Sequence, residues 1–409
     1  MTGEHSAGEE KLAAGERAGL LYGPVTSPWR ASGSADLALA LQATRATSLQ
    51  LMQAWQQALP GLEVPLRLGL NLPLWEWGHV AWFQEWWTCR HPGKYLGIRS
   101  ASSAAGFAPP LLPGADDFYD SSEVAHPSRW TLALPSLPRT LAYLNDVLAA
   151  SLQALQAAPD ESDDALYFWR LALMHEDMHN EASLYMAQAL GLAFPQALWL
   201  GTGRPHQGCT LPEAAAALRV PAQQCTVGHE GTGFAFDNEL PAHPVAVQAL
   251  EVDAAPVSWA RYLPFVQATG HALPPFVRWE HGCWQGLHQG RWQALDLRAP
   301  AVHVNAHDAQ AWCQWAGRRL PSEAEWSCAA QAPEFAWGQV WEWTASPFVP
   351  FAGFQAHPYR DYSAPWWHSH RVLKGACLAT SAHMVDVRYR NFFTPERREV
   401  FAGFRSVAL

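Results

Sequence analysis

Leu171-Ala172-Leu173-Met174-His175-Glu176-Asp177-Met178-His179-Asn180-Glu181 is the stretch on which the reading of this chain turns. It lies in an apolar run from 166 to 190 with helical spacing, and residues four apart on a helix share one face. His175 and His179 form such a pair, so both imidazoles can reach one metal ion. Read as H-E-x-x-H, the string is a zinc protease signature with Glu176 as general base. Read as H-x-x-x-H-x-E, it is a different metal helix, which needs a third histidine from elsewhere.

Working outward, apolar residues recur at helical spacing from about 34 to 191, broken by Pro- and Gly-rich stretches near 60–73 and 108–114. This predicts an antiparallel bundle of about four helices over 34–193, a scaffold that holds metals between facing helices. After Pro195 the texture changes to short β-type runs such as 244–250, punctuated by Gly, Pro, Asn and Trp. One clear helix runs from Asn305 to Gly317. The expected organisation is a disordered leader over 1–33, the bundle, a linker over 194–212, and an irregular α+β domain over 213–409.

The 409 residues suffice for two or three domains with cores of their own. A net charge of -10 without a basic run argues against nucleic-acid and acidic-membrane partners, leaving small molecules. The 22 tryptophans serve a core or an aromatic-lined pocket. Seven scattered cysteines without a C-x-x-C pair cannot complete a disulfide framework, which points to a reducing compartment. With neither a signal peptide nor a membrane span in the sequence, the expected location is the cytoplasm. Nothing in the sequence sets the oligomeric state.

The candidate third ligand is His79, in Trp75-Glu76-Trp77-Gly78-His79-Val80-Ala81-Trp82-Phe83. A single histidine on an apolar face is as a rule a hydrogen-bonded core residue; the company of the His175 and His179 pair argues for a ligand. Three neutral imidazoles with open positions suit iron(II), copper or zinc. These residues resemble the iron-dependent sulfoxide synthases of ergothioneine biosynthesis, the EgtB-like enzymes. Their DinB-like bundle carries a histidine in a W-x-x-G-H-x-A-W-F type segment and two more in H-x-x-x-H-x-E. Phe236-Asp237-Asn238-Glu239, Trp315-Ala316-Gly317-Arg318-Arg319-Leu320-Pro321-Ser322-Glu323-Ala324-Glu325-Trp326 and Val340-Trp341-Glu342-Trp343-Thr344 resemble the formylglycine-generating-enzyme domain, a C-type-lectin-like fold. The cysteine pair of true formylglycine-generating enzymes is missing from Arg388-Tyr389-Arg390-Asn391-Phe392-Phe393, which sets that activity aside.

The resemblance implies a non-heme iron oxidoreductase, with iron(II) on His79, His175 and His179, dioxygen as co-substrate, and hercynine as the substrate whose imidazole carbon gains a chalcogen. Asn391 and Phe392 stand where the ergothioneine enzymes present Asn-Trp to the trimethylammonium group, and a phenyl ring still offers a π-face. Phe393 replaces an aspartate that helps bind γ-glutamylcysteine, while Arg397 and Arg405 remain. Phe348 and Phe351 replace tyrosines, one of them the proton donor, which leaves Tyr359, Tyr362 and Tyr389 as phenols for that role. Arg129 and Met178 complete the candidate substrate-binding set. Residues 350–367, with Trp366 and Trp367 as stacking surfaces for a hexose, resemble the selenoneine synthase branch. That branch implies a selenosugar donor and a selenoxide product. Alternatives are a sulfoxide synthase using γ-glutamylcysteine, cysteine or a thiosugar, and, more remotely, a zinc-binding or non-catalytic protein that binds metal and carbohydrate. His126 is not asked for by the family pattern.

Overall fold

The computed structural model describes residues 16–17, 20–102, 106–199, 217–288 and 290–409. Its first half is helical: α1 Ser34–Ala58, α2 Pro73–Gln84, α3 Leu137–Gln156 and α4 Asp163–Ala189. Proline stands in the first turn of α2 and α3, where its missing N–H removes no helical bond. Ser162 caps α4 by accepting from the Ala165 N–H at 3.2 Å, and Asp163 and Asp164 favour the positive end of the helix dipole. Helix α1 packs along α4, and α2 packs on both α3 and α4. Helix α2 runs on into a π-helical turn, Glu85–Arg90, whose Trp87 stacks on Phe168 of α4 at 4.8 Å. Every residue of α4 from Ala165 to Asp177 is buried, so this helix has neighbours on all sides through its first half.

The second half is built from short strands. In one four-stranded sheet, Trp341–Pro347 pairs antiparallel with Arg371–Gly375 and parallel with Ala402–Gly403, and Asn391–Phe393 adds to the far edge of Arg371–Gly375. A second sheet runs in the order Arg318–Arg319, Val407–Ala408, Leu250–Asp253, Ala217–Val220. A hairpin, Gln223–Val227 with His243–Val247, and a three-stranded meander over Val277–Glu280, Cys283–His288 and Arg291–Ala294 flank them. The expected helix spans Ala306–Trp315, capped by the Asn305 side chain, which accepts from the Asp308 N–H. Much of the tryptophan excess is core: Trp259, Trp326, Trp337, Trp341 and Trp343 are fully buried.

The expectation of a disordered leader through residue 33 is corrected for residues 16–17 and 20–33. Leu20–Tyr22 is a strand paired with Ala336–Trp337, and Leu20 and Leu21 are buried. Arg30, 2 % exposed, pairs with Glu239 and Asp386. A three-residue strand and one buried cation leave no periodicity to read, so the segment looked like tail. Residues 1–15 and 18–19 of the expected leader and 200–212 of the expected linker lie outside the described residues. Cys225 and Cys328 are joined as a disulfide, which runs against the reducing compartment expected from the scattered cysteines. Among the described residues no helix is long and apolar enough to cross a membrane.

Candidate metal centre

Helices α2 and α4 bring His79, His175 and His179 together, one ring nitrogen from each within 4.8 Å of the others. Their ring centroids are 4.5–5.1 Å apart. The hydrogen bonds fix which nitrogen faces inward. His79 Nδ1 lies 2.8 Å from the Tyr119 carbonyl oxygen, which can only accept, so Nδ1 carries the proton and Nε2 keeps its lone pair. His179 Nδ1 donates to the Glu76 carboxylate, with the same consequence. His175 Nε2 then faces His179 Nε2 at 3.2 Å. Lone pairs converging in this way, two of them on buried rings, fit a shared cation, and three imidazoles are a donor set for iron(II), copper or zinc.

The walls are aromatic. His79 stacks on Trp75 at 4.8 Å, and His175 stacks on Phe83 at 3.6 Å with the planes 10° apart. Burial pushes His79 down to about 3 and His175 well below the usual imidazole range, so both are neutral and competent as ligands. Burial opposes ionisation of Glu76, yet His179, His79 and Arg129 outweigh it and hold that carboxyl at about 2. Glu76 also accepts from the Asn71 amide, and Asn71 Oδ1 accepts from Arg129 at 2.9 Å. The Arg129 guanidinium lies 3.6 Å from the centroid of Trp75, the ring on which His79 also stacks.

The remaining residues of the motif point elsewhere. Glu176 is clamped by Arg45 at 2.8 and 3.0 Å and by Ser48 at 2.6 Å, away from the histidines, which removes the base that the protease reading needs. Asp177 accepts from Thr44 and from His383. Glu181 accepts from Trp341 at 2.6 Å and Thr380 at 2.7 Å, and burial raises its pKa.

Of the three phenols, Tyr359 is the one beside the histidines: its ring is 4.8 Å from Phe83 and 6.5 Å from His175. Tyr362 and Tyr389 are bonded to each other, O to O 3.0 Å, and Met178 Sδ accepts from Tyr389 at 3.5 Å. Burial raises all three phenols above their usual range. Phe392 lies 5.8 Å from Tyr362 and stacks on Phe348 at 4.1 Å; Phe348 is wholly buried. Asn391 Oδ1 accepts from the Phe392 N–H, so it shapes that turn of strand. Phe393 and Tyr185 of α4 flank Arg397, whose guanidinium is paired with Glu399. Phe351 packs on His243 and beneath Arg390, and Trp366, 41 % exposed, packs on His370. Two of the arginines singled out in the sequence have partners within the protein. Arg129 is enclosed by Trp75, Asn71 and the Val124 carbonyl, a place in the wall of the metal centre. Arg405 is core, clamped by Glu342. His126 bonds to the Leu70 carbonyl, apart from the three histidines.

Sequence reasoning missed Glu76, Asn71 and Tyr119. Glu76 had a signal, a carboxylate one helical turn before a candidate ligand. Its partner, however, is His179 on the other helix, which only the packing reveals. Tyr119 contributes a backbone carbonyl, to which side-chain identity gives no clue.

Residues 205–339 match the family described as the sulfatase-modifying factor enzyme 1-like domain. A hercynine oxygenase of Mycobacterium tuberculosis is 28 % identical, the match covering 90 % of this chain and 98 % of the relative. One from Mycolicibacterium smegmatis is 27 % identical over 81 % of this chain and 90 % of the relative. A formylglycine-generating enzyme of Streptomyces coelicolor is 30 % identical over 46 % of this chain and 87 % of its own length. With a helical region carrying three convergent histidines ahead of a sheet-rich domain of this type, the chain belongs to the EgtB-like family.

Proposed function

We propose that this protein is an iron(II)- and dioxygen-dependent oxidoreductase that joins hercynine to a selenosugar, giving a selenoxide on the way to selenoneine. The observation that carries the metal part is the convergence of His79, His175 and His179 with two Nδ1 protons held by outside acceptors. Hercynine as substrate is supported by likeness to hercynine oxygenases over nearly the whole chain. Bound iron(II) would supply activation of dioxygen. In the overall reaction the imidazole C2–H and the selenol Se–H give up two hydrogens, the C–Se bond and the selenoxide oxygen form, and the second oxygen atom leaves as water.

The chain's own residues bind and orient the reactants. Phe392, beside Tyr362, offers a π-face to a cation that cannot be neutralised by proton loss. Tyr359, kept protonated by burial next to Phe83 and His175, is the phenol placed to give a proton at the reacting centre. Trp75, Phe83 and Tyr359 exclude water there. The selenosugar is favoured over γ-glutamylcysteine because position 393 holds a phenyl ring and offers no carboxylate to a donor's ammonium group. Trp366 and Trp367 give flat surfaces suited to a hexose. The test offers iron-loaded protein hercynine under oxygen with selenoglucose, thioglucose, cysteine and γ-glutamylcysteine in parallel, the products being identified by mass. Preference for γ-glutamylcysteine or cysteine would replace selenoneine synthesis by the sulfoxide synthase alternative, and no coupled product with any donor would defeat both.

A further inference from the structure

Two of the three histidines are held by partners of different charge. The outer nitrogen of His79 faces a neutral carbonyl; that of His179 faces the carboxylate of Glu76, which is 6 % exposed. Glu76 is not isolated. Its second oxygen accepts from Asn71, Asn71 is held by Arg129, and Arg129 lies on Trp75, which in turn stacks on His79. Arg129 Nε finds no acceptor among the described residues, and no other carboxylate is paired with this guanidinium. The chain thus places one buried anion and one buried cation behind the histidine group, joined through an amide.

We propose that Glu76 is a positioning residue for the metal centre, with Asn71 and Arg129 as its support. By accepting the Nδ1 proton of His179 it fixes the tautomer that presents Nε2, and its negative charge makes that imidazole a stronger donor. Arg129 balances the charge, so the carboxylate remains buried without a second cation at the ligands. The inference rests on the metal reading above.

Anaerobic competition of the full-length protein with a chelator for Fe(II), and the midpoint potential of the iron-loaded protein, test it. Glu76→Gln keeps the shape and one acceptor but loses the charge and, with its NH2 facing the Asn71 NH2, one link of the relay; Glu76→Ala loses everything. Iron affinity should fall by about 10-fold in the first and about 100-fold in the second. The potential of Glu76→Gln should rise, because the oxidised ion loses a nearby anion. A merely structural carboxylate would not move the potential of the isosteric variant. If wild-type protein binds iron tightly and Glu76→Gln matches it in affinity and potential, the positioning role is refuted. If wild-type protein itself fails to retain iron, the metal reading fails first.

Discussion

Glu176→Gln distinguishes a structural glutamate from a catalytic one. In wild-type protein the carboxylate receives both Nε and Nη2 of Arg45 and the hydroxyl of Ser48, and the side chains of the ion pair are 2 % exposed. Neutralising one member of such a pair leaves the other charge buried and uncompensated, at about 3–5 kcal/mol. Gln84 and the Leu144 carbonyl still hold the guanidinium, so the lower end, about 3 kcal/mol, is expected. For a helical domain of this size that corresponds to a midpoint lower by roughly 6–12 °C. Thermal unfolding followed by circular dichroism, beside Fe(II) content per chain, reads the effect. The expected outcome is a less stable protein with undiminished metal content. Arg45→Met alone should cost a similar amount, and the pair Arg45→Met/Glu176→Met less than the two singles together. An unshifted midpoint with lost turnover at full metal content would refute the structural role and restore Glu176 to the chemistry.

His79→Ala should abolish retention of Fe(II) through gel filtration, since two imidazoles on one helix are left as ligands; retention at the wild-type level would show that His79 is core alone. Tyr359→Phe keeps the packing on Phe83, so metal binding should persist while product formation slows by about 100-fold or more; an unchanged rate would move the proton elsewhere. Asp237 is raised by burial to about 6, against about 3.9 in an unfolded chain, so its contribution is present below pH 4 and lost as pH rises through 6. Asp237→Asn, still able to accept from Ser363, should therefore match wild type near pH 4 and exceed it at pH 8 by up to about 3 kcal/mol, measured by thermal unfolding. Equal midpoints at pH 8 would count against a strained carboxylate there.

What the sequence disclosed follows from range. Helix α4 and its histidine pair were legible because i, i+4 spacing is local, and the helix after Asn305 because a cap and a terminal glycine flank it. Contacts between distant segments were not. The Leu20–Tyr22 strand depends on Ala336–Trp337, more than three hundred residues away, and Glu76 is meaningful only once α2 lies against α4. The surroundings of Arg129 were hidden for the same reason: Trp75 and Asn71, which enclose it, lie more than fifty residues earlier in the chain.

The histidine helix also explains why a bundle and a strand-built domain belong in one chain. Successive residues of the motif turn by about 100°, so those that avoid the metal must meet something else. Glu176 and Asn180 meet Ser48 of α1. Asp177 meets His383, Met178 meets Tyr389, and Glu181 meets Trp341 and Thr380, all in the second domain. A rotation of α4 by one residue would break every one of these bonds and turn both imidazoles away from His79. The second domain therefore sets the rotation of the metal helix as firmly as the bundle does. Tyr359, beside Phe83 and His175, comes from that same domain, so its packing on the bundle also closes the surroundings of the histidines.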